Sequence, residues 1–234
     1  MNKIRKIISN FFDPFIDRLI KLTAANRYYM LSLAFYFTRD ESVDGDYFEF
    51  GVARGSTFIK AYKIAKKLGL LKSMNFYAFD SFEGFPVPEG RDKIFERFKA
   101  GGAKHSLDDF LKNLKKHKVD LKKVKILKGW FKDTLNGKNR EILEIKSARV
   151  INIDCDMYSS TKAVLDFIKP IIKNGTVLMF DDWYCFRADP EKGEQWAVHE
   201  WLEKNPEIQL IQYNNYATVG KSFIAVIKNE NKTL

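Results

Sequence analysis

The chain has 234 residues, 45% of them hydrophobic, and a formal net charge of +10. This length fits one substantial core, and the presence of only two cysteines, Cys155 and Cys185, excludes a disulfide scaffold and favours a reducing cytoplasm. No stretch is long and apolar enough to span a bilayer, and Asp13 and Pro14 interrupt any signal core, so we expect a cytoplasmic protein.

Residues 1–22 carry an apolar stripe at helical spacing, with Lys and Arg between its members. The stripe consists of Ile4, Ile7, Ile8, Phe11, Phe15, Leu19 and Leu22. Such a stripe can lie on a membrane surface, but more often it packs on its own domain or on a partner subunit. We therefore expect residues 1–44 to form a helical segment for oligomer or substrate contacts, a homo-oligomer, and no membrane contact.

Five short apolar runs follow, and each ends in a glycine or an acidic residue. The runs are 45–50 before Gly51, 75–79 before Asp80, 124–128 before Gly129, 149–153 before Asp154, and 176–180 before Asp181 and Asp182. Short runs rich in Val, Ile and Phe, separated by helical patterns, indicate a mostly parallel sheet in an α/β fold. Ligands bind beyond the carboxyl ends of such strands, so the five endings predict one site.

Helical patterns predict helices over 56–68, 108–117, 135–145, 161–172 and 194–203. Two further strand patterns, 208–213 and 222–228, are separated by too few residues for a crossover helix and should pair antiparallel. One reversed edge strand separates methyltransferase-like sheets from ordinary dinucleotide-binding ones. Residues 45–234 should form the main domain. Its aperiodic segment 81–106, rich in Gly and Pro, is predicted to be a lid or binding loop over the site.

The ending of the first strand favours a bound nucleoside. Gly51 and Gly55 let the backbone approach a ligand before a helix begins, and Asp80 offers a carboxylate for a ribose diol. Trp130 and Phe131 either stack on adenine or are core packing, and Arg54 meets either the cofactor carboxylate or an internal acid such as Glu49. The predicted cofactor residues are Glu49, Gly51, Val52, Arg54, Gly55, Ser56, Thr57, Asp80, Ser81, Gly129, Trp130, Phe131 and Asp154.

Acidic residues at two strand ends predict a metal site. If the strands ending at Asp154 and at Asp181-Asp182 are neighbours, about 5 Å apart, three carboxylates come within contact range. Like charges about 4 Å apart repel by about 4 kcal/mol at an effective dielectric of 20, so the cluster needs a cation or raised pKa values. Oxygen ligands select a hard divalent ion such as Mg²⁺, held by Asp154, Asp181 and Asp182. Asp156 is expected to support a neighbour.

Four motifs together resemble the macrocin O-methyltransferase family of S-adenosylmethionine-dependent enzymes. They are GDYFEFGVARGST (45–57), FDSFEGFP (79–86), IDCDMYSST (153–161) and FDDWY (180–184), and the likeness covers roughly residues 45–204. The resemblance implies a Rossmann-like class I methyltransferase sheet and metal-assisted methylation of a sugar hydroxyl, with S-adenosylmethionine as the methyl donor. It also implies Asp154 as the catalytic base.

The acceptor should be a small molecule bearing a hydroxyl group, in keeping with a sugar. His199 is the second candidate base, although a lone helical histidine is more often structural. Tyr158, Trp183 and Tyr184 either form apolar walls for the acceptor or are plain core packing.

Two alternatives come from other classes. An RNA methyltransferase would use the same fold with a basic binding face. The lysine clusters at 60–72 and 112–125, however, lie on predicted solvent faces without interleaved aromatics, so nucleic acid is not expected. A non-catalytic relative would keep the sheet without binding the cofactor.

Overall fold

The computed structural model describes residues 26–94 and 98–228, so the predicted stripe of residues 1–22 lies outside the described residues. The helices are α1 (Asn26–Asp40), α2 (Ser56–Lys67), α3 (Leu107–Lys116), α4 (Phe131–Thr134), α5 (Gly137–Ile142), α6 (Tyr158–Ile168) and α7 (Gly193–Lys204). The strands are β1 (Asp46–Phe50), β2 (Phe76–Asp80), β3 (Val124–Lys128), β4 (Ala148–Ile153), β5 (Val177–Phe180), β6 (Ile208–Tyr216) and β7 (Gly220–Ile227). No helix in this part of the chain has the length and apolar character needed to cross a membrane.

The strands form one sheet in the order β3-β2-β1-β4-β5-β7-β6. The first five are parallel, β7 pairs antiparallel with β5, and β6 pairs antiparallel with β7. The predicted parallel sheet with one reversed strand is therefore confirmed, and the reversed strand lies between β5 and the outermost strand β6. The strand order reverses between β1 and β4, so ligands are expected beyond the carboxyl ends of these two strands.

Helices cover both faces of the sheet because the buried strands are apolar on both sides. In β1, Tyr47 packs with α1, α2 and α3, while Phe48 and Phe50 pack with α6 and α7. Successive side chains on a strand point to opposite faces, so one short run contributes to two cores. Burial on both faces holds β1 firmly in the sheet beside β4. The carboxyl ends of these two strands, where the site is expected, are therefore held in place.

Two predicted helices have different bounds in the structure. The single helix predicted over 135–145 is wrong. The chain instead forms α4 and α5, separated at Asn136, whose side chain accepts a hydrogen bond from the backbone N–H of Asn139 and starts a new helix. The helix predicted over 161–172 begins earlier, at Tyr158, and ends at Ile168 because Pro170 cannot continue the α-helical hydrogen bonding.

Candidate active site

The loop after β1 requires its two glycines. Gly51 has a φ of 86°, and a Cβ atom there would lie 1.9 Å from the carbonyl oxygen of Asp154. Gly55 has a φ of 81°, and a Cβ atom there would lie 2.7 Å from the ring of Phe110. Because Gly51 has no side chain, the backbone after β1 can lie close to the end of β4. Helix α2 begins directly after Gly55.

Asp80 holds the loop after β1 against the start of the 81–106 segment. Its Oδ2 accepts hydrogen bonds from the backbone N–H groups of Val52 (2.9 Å) and Ala53 (3.0 Å), and its Oδ1 accepts one from Phe82 (2.8 Å). A carboxylate offers about four acceptor sites, so capacity remains for a ligand hydroxyl. Asp80, the residue predicted to bind the ribose, therefore also links the loop after β1 to the start of the 81–106 segment.

A cavity of about 270 Å³ lies between the loop after β1 and the 81–106 segment. Six of the predicted cofactor residues line it: Gly51, Asp80, Ser81, Trp130, Phe131 and Asp154. The 81–106 segment contributes further lining residues, among them Phe85, Pro86 and His105. The part of this segment that the structure describes therefore covers the cavity.

The other predicted cofactor residues do not line this cavity. Val52 and Thr57 are buried, and Ser56 and Arg54 are exposed. The Arg54 carbonyl oxygen accepts a hydrogen bond from the side chain of Asn113. The Gly55 backbone bends the loop, and the Gly129 N–H donates to the carbonyl oxygen of Asp80 at 2.9 Å. These residues shape the loops around the cavity.

Glu49 is an internal acid. Its side chain is 2% exposed and accepts a hydrogen bond from the hydroxyl of Tyr47, so its recorded partner is Tyr47 and not Arg54. Burial raises the pKa of Glu49 to about 8, although Tyr47 and Arg27 both oppose the rise. A protonated Glu49 therefore prevails at neutral pH.

The carboxylates after β4 and β5 converge. Ile153 and Phe180 are register partners at the ends of these strands, so the next residues of both strands lie at one edge of the sheet. Carboxylate oxygens of Asp154, Asp156 and Asp182 all lie within 4.8 Å of one another. The prediction gave Asp156 a supporting role, but its φ of 57° turns the chain so that its carboxylate joins the group. Three hard oxygen donors at this spacing fit a divalent cation.

Arg27 on α1 is the site residue that the sequence did not indicate. Its Nη1 donates to Asp154 Oδ2 at 3.2 Å, and its Nη2 donates to Asp181 Oδ2. Asp181 therefore faces a guanidinium and is not part of the three-carboxylate group. No local pattern around Arg27 marks it, because its partners lie 127 and 154 residues further along the chain.

The electrostatics of this edge are dominated by buried acids. Burial and the neighbouring Asp181 raise the pKa of Asp154 well above its ordinary value, and burial raises the pKa of Asp181 to about 6 against the opposing effect of Arg27. Glu194 on α7 is 1% exposed and accepts a hydrogen bond from the Asp182 N–H. Among the described residues, Asp181 Oδ1 and Glu194 Oε1 are buried acceptors without a hydrogen-bond partner. This surplus of acceptors also fits a bound cation.

Asp92 anchors the 81–106 segment to α6. Asp92 is 1% exposed, and its carboxylate accepts hydrogen bonds from the backbone N–H groups of Tyr158 (2.9 Å) and Ser159 (3.1 Å) at the helix N-terminus. The adjacent Arg91 guanidinium lies 4.8 Å from the ring centre of Trp196 on α7. The segment over the cavity is thus fixed to two helices, an arrangement that the sequence did not indicate.

The residues predicted to contact the acceptor lie beside the acidic group but do not line the cavity. The Tyr158 hydroxyl donates to Glu200, the Tyr184 hydroxyl donates to Asn215, and Trp183 packs against Phe180 and Phe223.

His199 is on α7 with its side chain 56% exposed, and its Nε2 lies 3.4 Å from a carboxylate oxygen of Glu203. The structure does not bring His199 to the cavity or to the acidic group.

The sheet order, together with the glycine loop that follows β1 and lies against the end of β4, defines a class I S-adenosylmethionine-dependent methyltransferase fold. The chain belongs to the macrocin O-methyltransferase (TylF) family, whose sequence model matches residues 20–204. The predicted family and fold are therefore confirmed.

Two relatives are O-methyltransferases by name, and one of the names describes a rhamnosyl-bearing tetracenomycin. The mycinamicin III 3''-O-methyltransferase of Micromonospora griseorubida is 30% identical over 172 residues, covering 70% of this chain and 63% of that protein. The 8-demethyl-8-(2,3-dimethoxy-alpha-L-rhamnosyl)-tetracenomycin-C 4'-O-methyltransferase of Streptomyces olivaceus is 29% identical, covering 61% of this chain and 54% of that protein. The matches span less than two thirds of each relative's length.

Solved structures support the fold. The O-methyltransferase NovP superposes with a TM-score of 0.72 at 23% identity, covering 85% of this chain and 79% of its own. The calicheamicin methyltransferase CalS11 superposes with a TM-score of 0.69 at 20% identity, covering 84% of this chain and 77% of its own. At these identities the comparison concerns architecture alone.

Proposed function

We propose that the protein is an O-methyltransferase that moves a methyl group from S-adenosylmethionine to a hydroxyl of a sugar or glycosylated natural product, with the help of a divalent cation. The observation that carries this proposal is the position of Asp154. It lines the cavity beside the glycine loop and also belongs to the group of three carboxylates. Asp154 therefore borders both the proposed binding site of the methyl donor and the proposed binding site of the cation.

Different residues of the chain would have different roles in this reaction. Asp80 and the loop after β1 would hold the nucleoside, Trp130 and Phe131 would flank adenine, and the 81–106 segment would exclude water from the cavity. Bound S-adenosylmethionine would supply a methyl group carried on a positively charged sulfur, for transfer to the acceptor oxygen.

The three-carboxylate group of Asp154, Asp156 and Asp182 would hold the cation, and Asp181, which faces Arg27 beside that group, would be a fourth ligand. A bound Mg²⁺ supplies positive charge that lowers the pKa of a hydroxyl. Asp154 would take the hydroxyl proton, because it borders both the cavity and the three-carboxylate group. A cation ligand can act as a base only through its second oxygen, so this role requires one Asp154 oxygen to stay free.

The acceptor class rests on the relatives: one is named for O-methylation of a rhamnosyl-bearing tetracenomycin, and another for 3''-O-methylation of mycinamicin III. Tyr158, Trp183 and Tyr184 would supply apolar surface for such a molecule. We further propose a cytoplasmic homo-oligomer, in keeping with the apolar stripe of residues 1–22.

A methyl-transfer assay tests the proposal. The protein, stripped of metal and reloaded with Mg²⁺, is incubated with methyl-labelled S-adenosylmethionine and a panel of glycosylated macrolides, nucleotide sugars and free sugars. We expect labelled product with at least one acceptor and a loss of at least about 100-fold in kcat for Asp154→Asn. His199→Ala serves as the matched control and should retain activity. Full activity in excess chelator would refute the cation, and no binding of S-adenosylmethionine by calorimetry would refute the function.

A further inference from the structure

Arg27 lies where it faces two carboxylates from neighbouring strand ends. Its guanidinium donates to Asp154 Oδ2 and to Asp181 Oδ2, and its side chain is 29% exposed. Of the ion pairs among the described residues, only those made by Arg27 reach Asp154 or Asp181. A single unit of positive charge thus compensates the two aspartates that follow β4 and β5.

Arg27 lies at the start of the described part of α1, and this first turn contains no acidic residue, so its guanidinium pairs with acids from the sheet. One turn further on, Met30 is fully buried, and its sulfur accepts a hydrogen bond from the Ser222 hydroxyl on β7. The body of α1 is therefore fixed to the sheet, while Arg27 extends from its first turn on a long side chain that reaches solvent.

We propose that Arg27 is a displaceable counter-cation, which holds Asp154 and Asp181 together until a divalent cation takes their oxygens. This inference rests on the proposed function only in that it assumes a cation at the acidic group. A divalent cation on Asp154 Oδ2 and Asp181 Oδ2 would lie at contact distance from the guanidinium, and the two positive charges would repel, so we expect Arg27 to be displaced. Loading of the cation is thereby coupled to the first turn of α1.

Replacement of Arg27 by Gln removes the competing charge and keeps a residue of high helix propensity. Binding of Mn²⁺ alone, without cofactor or acceptor, is measured by the electron paramagnetic resonance signal of the free ion. We expect Arg27→Gln to bind Mn²⁺ at least about tenfold more tightly than the wild type, because a repulsive unit charge at contact distance is gone. Arg39→Gln is the matched control. It makes the same change at the other end of α1, where Arg39 pairs with Asp40, and should leave the affinity unchanged.

Hydrogen exchange of the wild-type protein provides a second measurement that needs no variant. Adding Mn²⁺ should increase deuterium uptake in the second turn of α1, whose N–H groups donate to the carbonyl oxygens of the first turn, as Arg27 leaves its partners, and leave the buried turns around Phe35 unchanged.

Equal or weaker Mn²⁺ binding by Arg27→Gln, unchanged or reduced uptake in the second turn of α1, or no Mn²⁺ binding by either protein would each overturn the inference. Tighter binding by the variant in a protein that transfers no methyl group would instead sustain the inference and sink the proposed function.

Discussion

Glu49 should make the protein less stable as the pH rises, and Glu49→Gln should remove this effect. Each unit of pKa corresponds to about 1.4 kcal/mol, so a rise from 4.5 to about 8 corresponds to about 5 kcal/mol. Above pH 4.5 the unfolded chain releases the Glu49 proton, whereas the folded protein retains it until about pH 8. The unfolded state therefore binds fewer protons across this window, and the free energy of unfolding falls with rising pH.

The assay is urea unfolding followed by tryptophan fluorescence at pH 5, 7 and 9, in chelator so that no divalent ion alters the charge nearby. Between pH 5 and 9, the wild type should lose about 4 kcal/mol more of its free energy of unfolding than Glu49→Gln, since part of the effect already lies below pH 5 and the other titrating groups are common to both. Glutamine has nearly the same shape and can still accept the Tyr47 hydrogen bond. Glu41→Gln, at an exposed acid ahead of β1, is the control and should behave as the wild type. Equal pH dependence of the wild type and Glu49→Gln would refute the reasoning.

Three further substitutions test the loops around the cavity. Asp80→Asn should weaken S-adenosylmethionine binding by about tenfold in calorimetry, because the amide cannot accept all three backbone N–H groups; unchanged affinity would contradict this assignment. Asp92→Asn should cost about 1 kcal/mol of stability and increase hydrogen exchange in the 81–94 region, because it weakens the charge at the N-terminus of α6. Gly51→Ala should lower the free energy of unfolding by about 3 kcal/mol or more. Gly69→Ala, at a positive φ with open space around it, should cost only about 1 kcal/mol; equal losses in the two glycine variants would count against the close contact.

The strands and their endings could be predicted from the sequence because the signals are local. Apolar runs such as 149–153, each followed by a glycine or an acid, identify a buried strand and the residue that leaves it. The neighbouring strands β4 and β5 then bring Asp154 and Asp182 to the same edge of the sheet. The position of the site follows from this topology alone.

The remaining site features depend on geometry that a linear pattern does not contain. Arg27 reaches its partners only after α1 packs on the sheet, and Asp156 joins the acidic group only because its backbone adopts a left-handed conformation. His199 has a plausible residue type for a base, but helical spacing alone could not show that its side chain faces solvent. The break at Asn136 depends on a side-chain cap that competes with continuing the helix.

The contact between Gly51 and the Asp154 carbonyl oxygen has a consequence for how specificity can diverge in such an enzyme. The spacing between the ends of β1 and β4 is set there by main-chain atoms, which substitutions of surrounding side chains leave in place. The loops and aromatic side chains around the site can therefore change to admit a different hydroxyl acceptor, while the spacing between these two strand ends stays constant. Under the proposed function, the same arrangement of strand ends can support methylation of acceptors with many different scaffolds.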